Sequence, residues 1–323
     1  MTRAVFRALA LVLALIPATH AQTQPAWPAK LIRIVVPFAP GSFTDIAART
    51  LAVELTAQLG QTVVVENRAG AGGTLGTDAI AKAAPDGHAL LLSDNSFVMA
   101  PGLYQKLPYD PVRDFVHITQ IAESPSLLVA RVNLPAKNLR ELVELARAKP
   151  SGLTFGSGGV GSSAHLATEL FMSVAGIRMT HVPFKGVVLS IAEVVGDRID
   201  VSIASLASGM AMVSAGKVQG FGVTGRERSA LLPTVPTFTE AGLGAYDMSY
   251  WWGIAAPAGT PAPVVSRLNQ EITRAAQQAR VKDSFEKQGA RPVTTSATES
   301  SRRIDEEMKV WKSVIVKAGV RID

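Results

Sequence analysis

The chain has 323 residues, 47% hydrophobic and 18% charged, with no cysteine. That composition excludes a disordered or low-complexity protein, and the missing thiols exclude disulfide scaffolds, thiolate metal sites and cysteine nucleophiles. The formal charge of +6 is small and dispersed, which excludes a basic nucleic-acid-binding surface, and the length suggests two domains at roughly 100–200 residues each.

At the N-terminus Arg3 and Arg7 precede an unbroken apolar run at 8–16, closed by Pro17 before Thr19-His20-Ala21. This reads as a signal peptide over 1–21 cleaved near Ala21, because the run is far shorter than the roughly 20 residues that span a bilayer. The mature protein is then expected in the periplasm or outside the cell, where a supply of ATP or NAD(P)H is not dependable.

Past that segment β-rich runs alternate with helical stretches, the pattern of an α/β protein with a sheet flanked by helices. A strand is predicted over 31–38, a helix over 44–60 with Ala47, Leu51 and Leu55 on one face and Gly60 as its stop, and a strand over 61–67. The glycine-rich loop 68–76 reads as a close-packing turn into a helix at 77–84, followed by a buried strand at 88–94. Further strands fall at 126–131, 179–184 and 199–205, with a strand opening into a glycine turn over 153–161 and helices at 139–150 and 163–176. The closing third holds a short strand from Trp251, a long amphipathic helix to 278 and a last helix at 299–319, both expected to pack back on the first unit. The domains are accordingly 22–121 with 250–323, and 122–249, crossed near Ala122 and Ser249, with a hinge and a ligand cleft between them.

Two strand-to-helix junctions carry the chemistry. In VVPFAPGSFTDIAAR (35–49), Gly41 allows close approach to the backbone at a helix N-terminus, Ser42 and Thr44 offer hydroxyls, and Asp45 reads either as a helix cap or as an acceptor for a ligand ammonium or a water. Taken alone, such a junction also fits a capped turn that binds nothing. The second, LTFGSGGVGSSAHLA (153–167), contains G-x-G-x-x-G at Gly156, Gly158 and Gly161. A dinucleotide site would need an acidic residue about 20 positions on, and the chain has MTHVPFKG instead, so no cofactor is expected. With Ser162 and Ser163 at the helix start, the loop is a second anion seat, and one seat per domain suits a small carboxylate. His165, one turn into that helix, is either a ligand donor or a capping and packing imidazole. Trp251 and Trp252 floor the cleft or belong to the core, and Arg226, Arg228, Arg302 and Arg303 read as solvated faces.

At these residues the chain also resembles the Bug family, the periplasmic substrate-binding proteins of tripartite tricarboxylate transporters. The resemblance rests on 27–49, ENRAGAGGTLG (66–76), PDGHALLLS (85–93), 153–171, HVPFKGV (181–187), LLPTVPTFTEAGL (231–243) and WWGIAAPAGTP (251–261). It implies a two-domain periplasmic-binding-protein fold, type II-like, closing on a carboxylate. The contacts it implies are Phe38, Pro40, Gly41, Ser42, Thr44 and Asp45 in the first domain and Ser157, Gly158, Gly161, Ser162 and His165 in the second. It further implies that the strand end near Ser93 and Asn95 and the segment from Asp200 to Ser205 line the cleft. The chain departs from the family at Gly41-Ser42, where a double glycine is usual, at 187–190 (VVLS), and at ASLASG (204–209), which lacks an Asp or Asn with Pro.

The five histidines show no metal spacing, and no nucleophile elbow is present, so neither a metal site nor a catalytic constellation is expected. The reading is a monomeric solute-binding protein that captures a small carboxylate (a di- or tricarboxylate, an amino acid or an aromatic acid) by hinge closure and passes it to membrane permease subunits. A periplasmic sensor feeding a two-component system is the alternative, and an exported hydrolase a remote one.

Overall fold

The computed structural model describes residues 27–318; the expected signal peptide lies outside them. β1 (Ile32–Val36), α1 (Phe43–Leu59), β2 (Val63–Asn67), α2 (Thr74–Ala81), β3 (Ala89–Asp94) and α3 (Asn95–Leu103) come first. β4 (Phe115–Ala130), α4 (Leu139–Ala148), β5 (Thr154–Ser157), α5 (Ser163–Ala175), β6 (Thr180–Pro183) and α6 (Val187–Val195) follow. The chain continues through β7 (Val201–Ser205), α7 (Leu206–Ser214), β8 (Gln219–Val223) and β9 (Ser249–Pro257). It closes with α8 (Ala262–Ala276), α9 (Ala279–Glu286), β10 (Arg291–Pro292) and α10 (Ala297–Ala318).

The strands are ordered β2-β1-β3-β9-β4-β7-β5-β6, with β8 and β10 also on β4. β1, β2 and β3 are mutually parallel, as are β7, β5 and β6, whereas β4 and β9 run against their neighbours. β4 is the organising element. Its first part, through Pro125, pairs with β9, and from Ser126 it pairs with β7 and β8. One strand therefore belongs to two lobes, each a sheet flanked by helices. The sequence pattern shows only its last turn of apolar residues, because Glu123 and Pro125 interrupt the run.

Local chemistry explains the framing helices. Ser42 caps α1 by accepting the Asp45 N–H, and Gly60, at φ 65°, ends it in the left-handed conformation that glycine adopts without Cβ strain. The face expected to be apolar is the buried one: Ala47, Leu51 and Leu55 pack toward Ile34 and Leu91 of the sheet. α8 packs on α1 and β4, and α10 on α3 and β4, so the C-terminal helices return to the first lobe.

The lobes are tied where the chain passes between them. The Ser126 hydroxyl and the Thr224 hydroxyl both donate to the Met248 carbonyl, at 2.7 and 2.9 Å, while the Ser126 N–H donates to Thr224 Oγ1 at 2.8 Å.

Candidate functional site

In both lobes the C-terminal ends of parallel strands lead into helices, β3 into α3 and β7 into α7 directly, β1 into α1 and β5 into α5 through the glycine loops. Four helix N-termini converge on one cavity at the lobe junction, capped by Ser42, Asp94, Ser162 and Ser205, and all four caps line it. In this arrangement of the lobes the cavity is tight, about 30 Å³. Helix N-termini carry unpaired N–H groups and partial positive charge, so their convergence favours an anion without any cationic side chain. Among the described residues no lysine, arginine or histidine lines it.

The two glycine loops are built alike. Gly41 N–H donates to Asp45 Oδ2 at 3.1 Å, and Gly161 N–H donates to His165 Nδ1 at 3.2 Å. In each case the residue before a capping serine is pinned by the side chain four positions on, which fixes the angle at which the chain enters the helix. Asp45 is committed further, accepting from Asn67 Nδ2 at 2.9 Å and pairing with Arg49. Burial works to raise its pKa, but the bonds from Arg49, Asn67 and Gly41 outweigh that and hold it below the usual aspartate value. His165 stacks on His181 with ring centroids 4.0 Å apart, and His181 in turn stacks on Phe155 and meets Ser157 Oγ at 2.6 Å. Burial, reinforced by the neighbouring His165, pushes His181 down to about 3.

Of the residues singled out from sequence, the structure brings Phe38, Ser42, Thr44, Gly158, Ser162 and Ser205 together on the cavity wall. Pro40 and Gly41 are exposed and shape the first loop, Gly41 at φ 87°. Asp45, Ser157, Gly161 and His165 stand behind the wall, bonded within the loops. Asp45 is a buttress for the loop, and its carboxylate is taken by protein donors.

The strand end at β3 needs correcting. Ser93 bonds the Gly253 carbonyl, and Asn95 spans the Ser249 carbonyl and the Trp251 N–H, so both fasten β3 and α3 to β9. Side chains alternate across a strand, and the residue between them, Asp94, is the one that faces the cavity. Asp200 is corrected as well: it sits at the start of β7, at the far end from Ser205, where it accepts from Arg131 and Thr154. The two tryptophans split for the same reason of alternation. Trp252 lines the cavity and its indole donates to Thr44 Oγ1 at 2.9 Å, whereas Trp251 turns to α10 and donates to Glu307. Arg303 lies over the Trp251 ring and bonds Glu307 and Gln120, so it is half-buried on this packed face and only partly solvated.

Contacts also cross between the lobes. Ser163 Oγ donates to Asp94 Oδ2 at 3.0 Å, and Ala39 N–H reaches the Lys185 carbonyl at 3.4 Å. In the loop 68–76, Gly76 packs against Pro37, as a strand-to-helix turn should, but Gly72 lies directly against the second-lobe loop. A Cβ on Gly72 would stand 2.3 Å from the Val160 carbonyl oxygen.

This fold and cavity define a two-domain periplasmic-binding-protein architecture, with strand ends from both lobes facing a shared cavity. Residues 47–320 match the profile of the tripartite tricarboxylate transporter family receptor, TctC, and the chain belongs to that family. BugT of Bordetella pertussis is 35% identical over 298 residues, covering 92% of this chain and 91% of that protein. The structure of the periplasmic binding protein BugD superposes with a TM-score of 0.88 at 31% identity, over 92% of this chain and all of that one. The structure of MatC from Rhodopseudomonas palustris with bound malate superposes with a TM-score of 0.86 at 32% identity, over 89% of this chain and 99% of that one.

Proposed function

We propose that this chain is an exported solute-binding protein that closes on a small carboxylate and delivers it to the membrane subunits of a tripartite tricarboxylate-type transporter. The moving bodies in this reading are 22–121 with 250–323, and 122–249. The observation that carries it is the convergence of capped helix N-termini from both lobes on one cavity without a cationic side chain. Malate in the MatC relative supports the carboxylate class. The reading requires no chemistry: ligand bound between the lobes favours the closed arrangement by its differential affinity for it, and the closed surface is what a permease selects.

A thermal-shift panel tests the binding step. A ligand specific for the native state raises stability by about 2.7 kcal/mol at a hundredfold excess over Kd. Mono-, di- and tricarboxylates or amino acids should raise the melting temperature with concentration, and neutral sugars should not. A shift from sugars alone would overturn the carboxylate reading. Delivery is tested by uptake of the labelled ligand into vesicles carrying the membrane subunits, which should occur only when this protein is added.

A further inference from the structure

Among the described residues the cavity wall carries one carboxyl side chain and no cationic one, the reverse of what a carboxylate site would be expected to hold. Asp94 is 4% exposed and accepts from the Ser96 N–H at 2.9 Å, the Ser96 hydroxyl and, across the cleft, the Ser163 hydroxyl. All three donors are neutral, and among the described residues no lysine, arginine or histidine forms a salt bridge with it. A buried carboxylate without a cation is destabilising, and burial raises its pKa. A plain dicarboxylate entering beside it would bring further negative charge into a space that excludes water, where like charges repel most strongly.

The same wall offers groups that favour a cation. Phe38, Tyr250 and Trp252 border the cavity with Asp94, and aromatic faces attract an ammonium group. The N-termini of α1, α5 and α7 lie on the same wall and favour an anion. The pocket is therefore mixed: one carboxyl group and three aromatic rings sit among three serine-capped helix ends, Asp94 bonded to Ser163 at the start of α5 and Trp252 to Thr44 in the first turn of α1.

We infer that Asp94 is the specificity-determining residue of this site and selects a carboxylate that also carries an ammonium group, an amino acid in preference to its deamino counterpart. The ligand's ammonium is the missing counter-charge of Asp94, and its carboxylate is held by the helix ends. The inference rests on the carboxylate reading above and narrows it. It also gives the Ser163–Asp94 bond a role, since that bond orients the Asp94 carboxylate from the opposite lobe as the cleft shuts.

The experiment is calorimetric titration of the full mature chain with matched sets: aspartate, malate and succinate; glutamate, 2-hydroxyglutarate and glutarate; leucine and 4-methylpentanoate. At least one amino acid should bind roughly tenfold or more tightly than its hydroxy and deamino partners, and Asp94→Asn should bring that ratio close to one. Ser163→Ala keeps the carboxylate while removing the cross-lobe bond, and should weaken all members of a set alike. The wild-type ratios decide even if the asparagine variant folds poorly. Deamino acids that bind as tightly as amino acids, or a preference that survives Asp94→Asn, would overturn the inference and leave the carboxylate reading standing. So would deamino acids binding with uptake of a proton, seen as a buffer-dependent enthalpy, because Asp94 would then be a neutral donor to an anion. Binding by no member of any set would overturn both.

Discussion

Gly72→Ala tests whether the contact between the two glycine loops is the stop that defines the closed state. The added Cβ would lie 2.3 Å from the Val160 carbonyl oxygen, inside the 3.0 Å that real Cβ contacts respect, so the loops must part by about 0.7 Å. The same displacement carries the Ser163–Asp94 pair from 3.0 Å to beyond hydrogen-bonding range. Losing a bond to a charged group is worth about 1.5–3 kcal/mol, which is roughly 10- to 150-fold in the closed-to-open ratio and hence in affinity. Gly72 also sits at φ 63°, where any L side chain is strained by about 1 kcal/mol, and Gly60 supplies the control. Gly60 has nearly the same φ, 65°, with nothing within 4 Å of its Cβ position. Both alanine variants should therefore lose similar stability in urea titrations, while only Gly72→Ala should lose ligand affinity by calorimetry and ligand-induced compaction by small-angle scattering. Equal affinity in Gly72→Ala and wild type, or equal losses in both variants, would refute the reasoning.

Three further outcomes are expected. Trp252 borders the cavity, so ligand should change the intrinsic fluorescence, and Trp252→Phe should remove most of that change while Trp251→Phe leaves it. Asp45→Asn should spare ligand specificity but destabilise the fold by about 1–3 kcal/mol at neutral pH, because it weakens the bonds to Arg49, Asn67 and Gly41. Since the folded pKa of Asp45 is depressed, its contribution is complete above the unfolded value near 3.9 and is lost as pH falls through the folded one; the variant's melting temperature should accordingly fall less steeply below about pH 4 than that of wild type. His181 is half-buried and neutral, with its pKa pushed down to about 3, so the unfolded chain binds the proton first. Stability from this group is complete above about pH 6.5 and declines from there toward pH 3, and His181→Gln should flatten the melting temperature against pH across that window.

Much of the site was legible in the sequence because strand ends and helix starts leave strong signatures. Gly41-Ser42 and Gly161-Ser162 sit between an apolar run and a helical period, and the structure places both serines at caps on the cavity wall. Asp94 and α3 left no such trace. The segment NSFVMAPGL contains Pro101 and a glycine, its apolar residues show no helical period, and it is nonetheless a helix because packing against α10 and β9 decides its conformation. α6 was hidden differently: VVLSIAEVV is apolar on nearly every side, so periodicity does not distinguish it from a buried strand. The placement of Asp200 fails on direction alone. A strand has two ends, and only the carboxyl end of β7 opens on the cleft.

The change of partners along β4 falls at Pro125, and this has a mechanical meaning. Any other residue there would bring an N–H in need of an acceptor at the point where β4 leaves one set of partners for the next, whereas proline brings none. The next donor, on Ser126, is held by the Thr224 side chain, which also grips the return crossing at Met248. The two crossings are thus tied into one segment through Ser126, Thr224 and Met248. Two bonds beside it, from the Ala207 N–H to Ser124 Oγ and from the Tyr250 hydroxyl to the Ile203 carbonyl, bridge the same seam, so the angle between the lobes is set there as well as at the glycine loops.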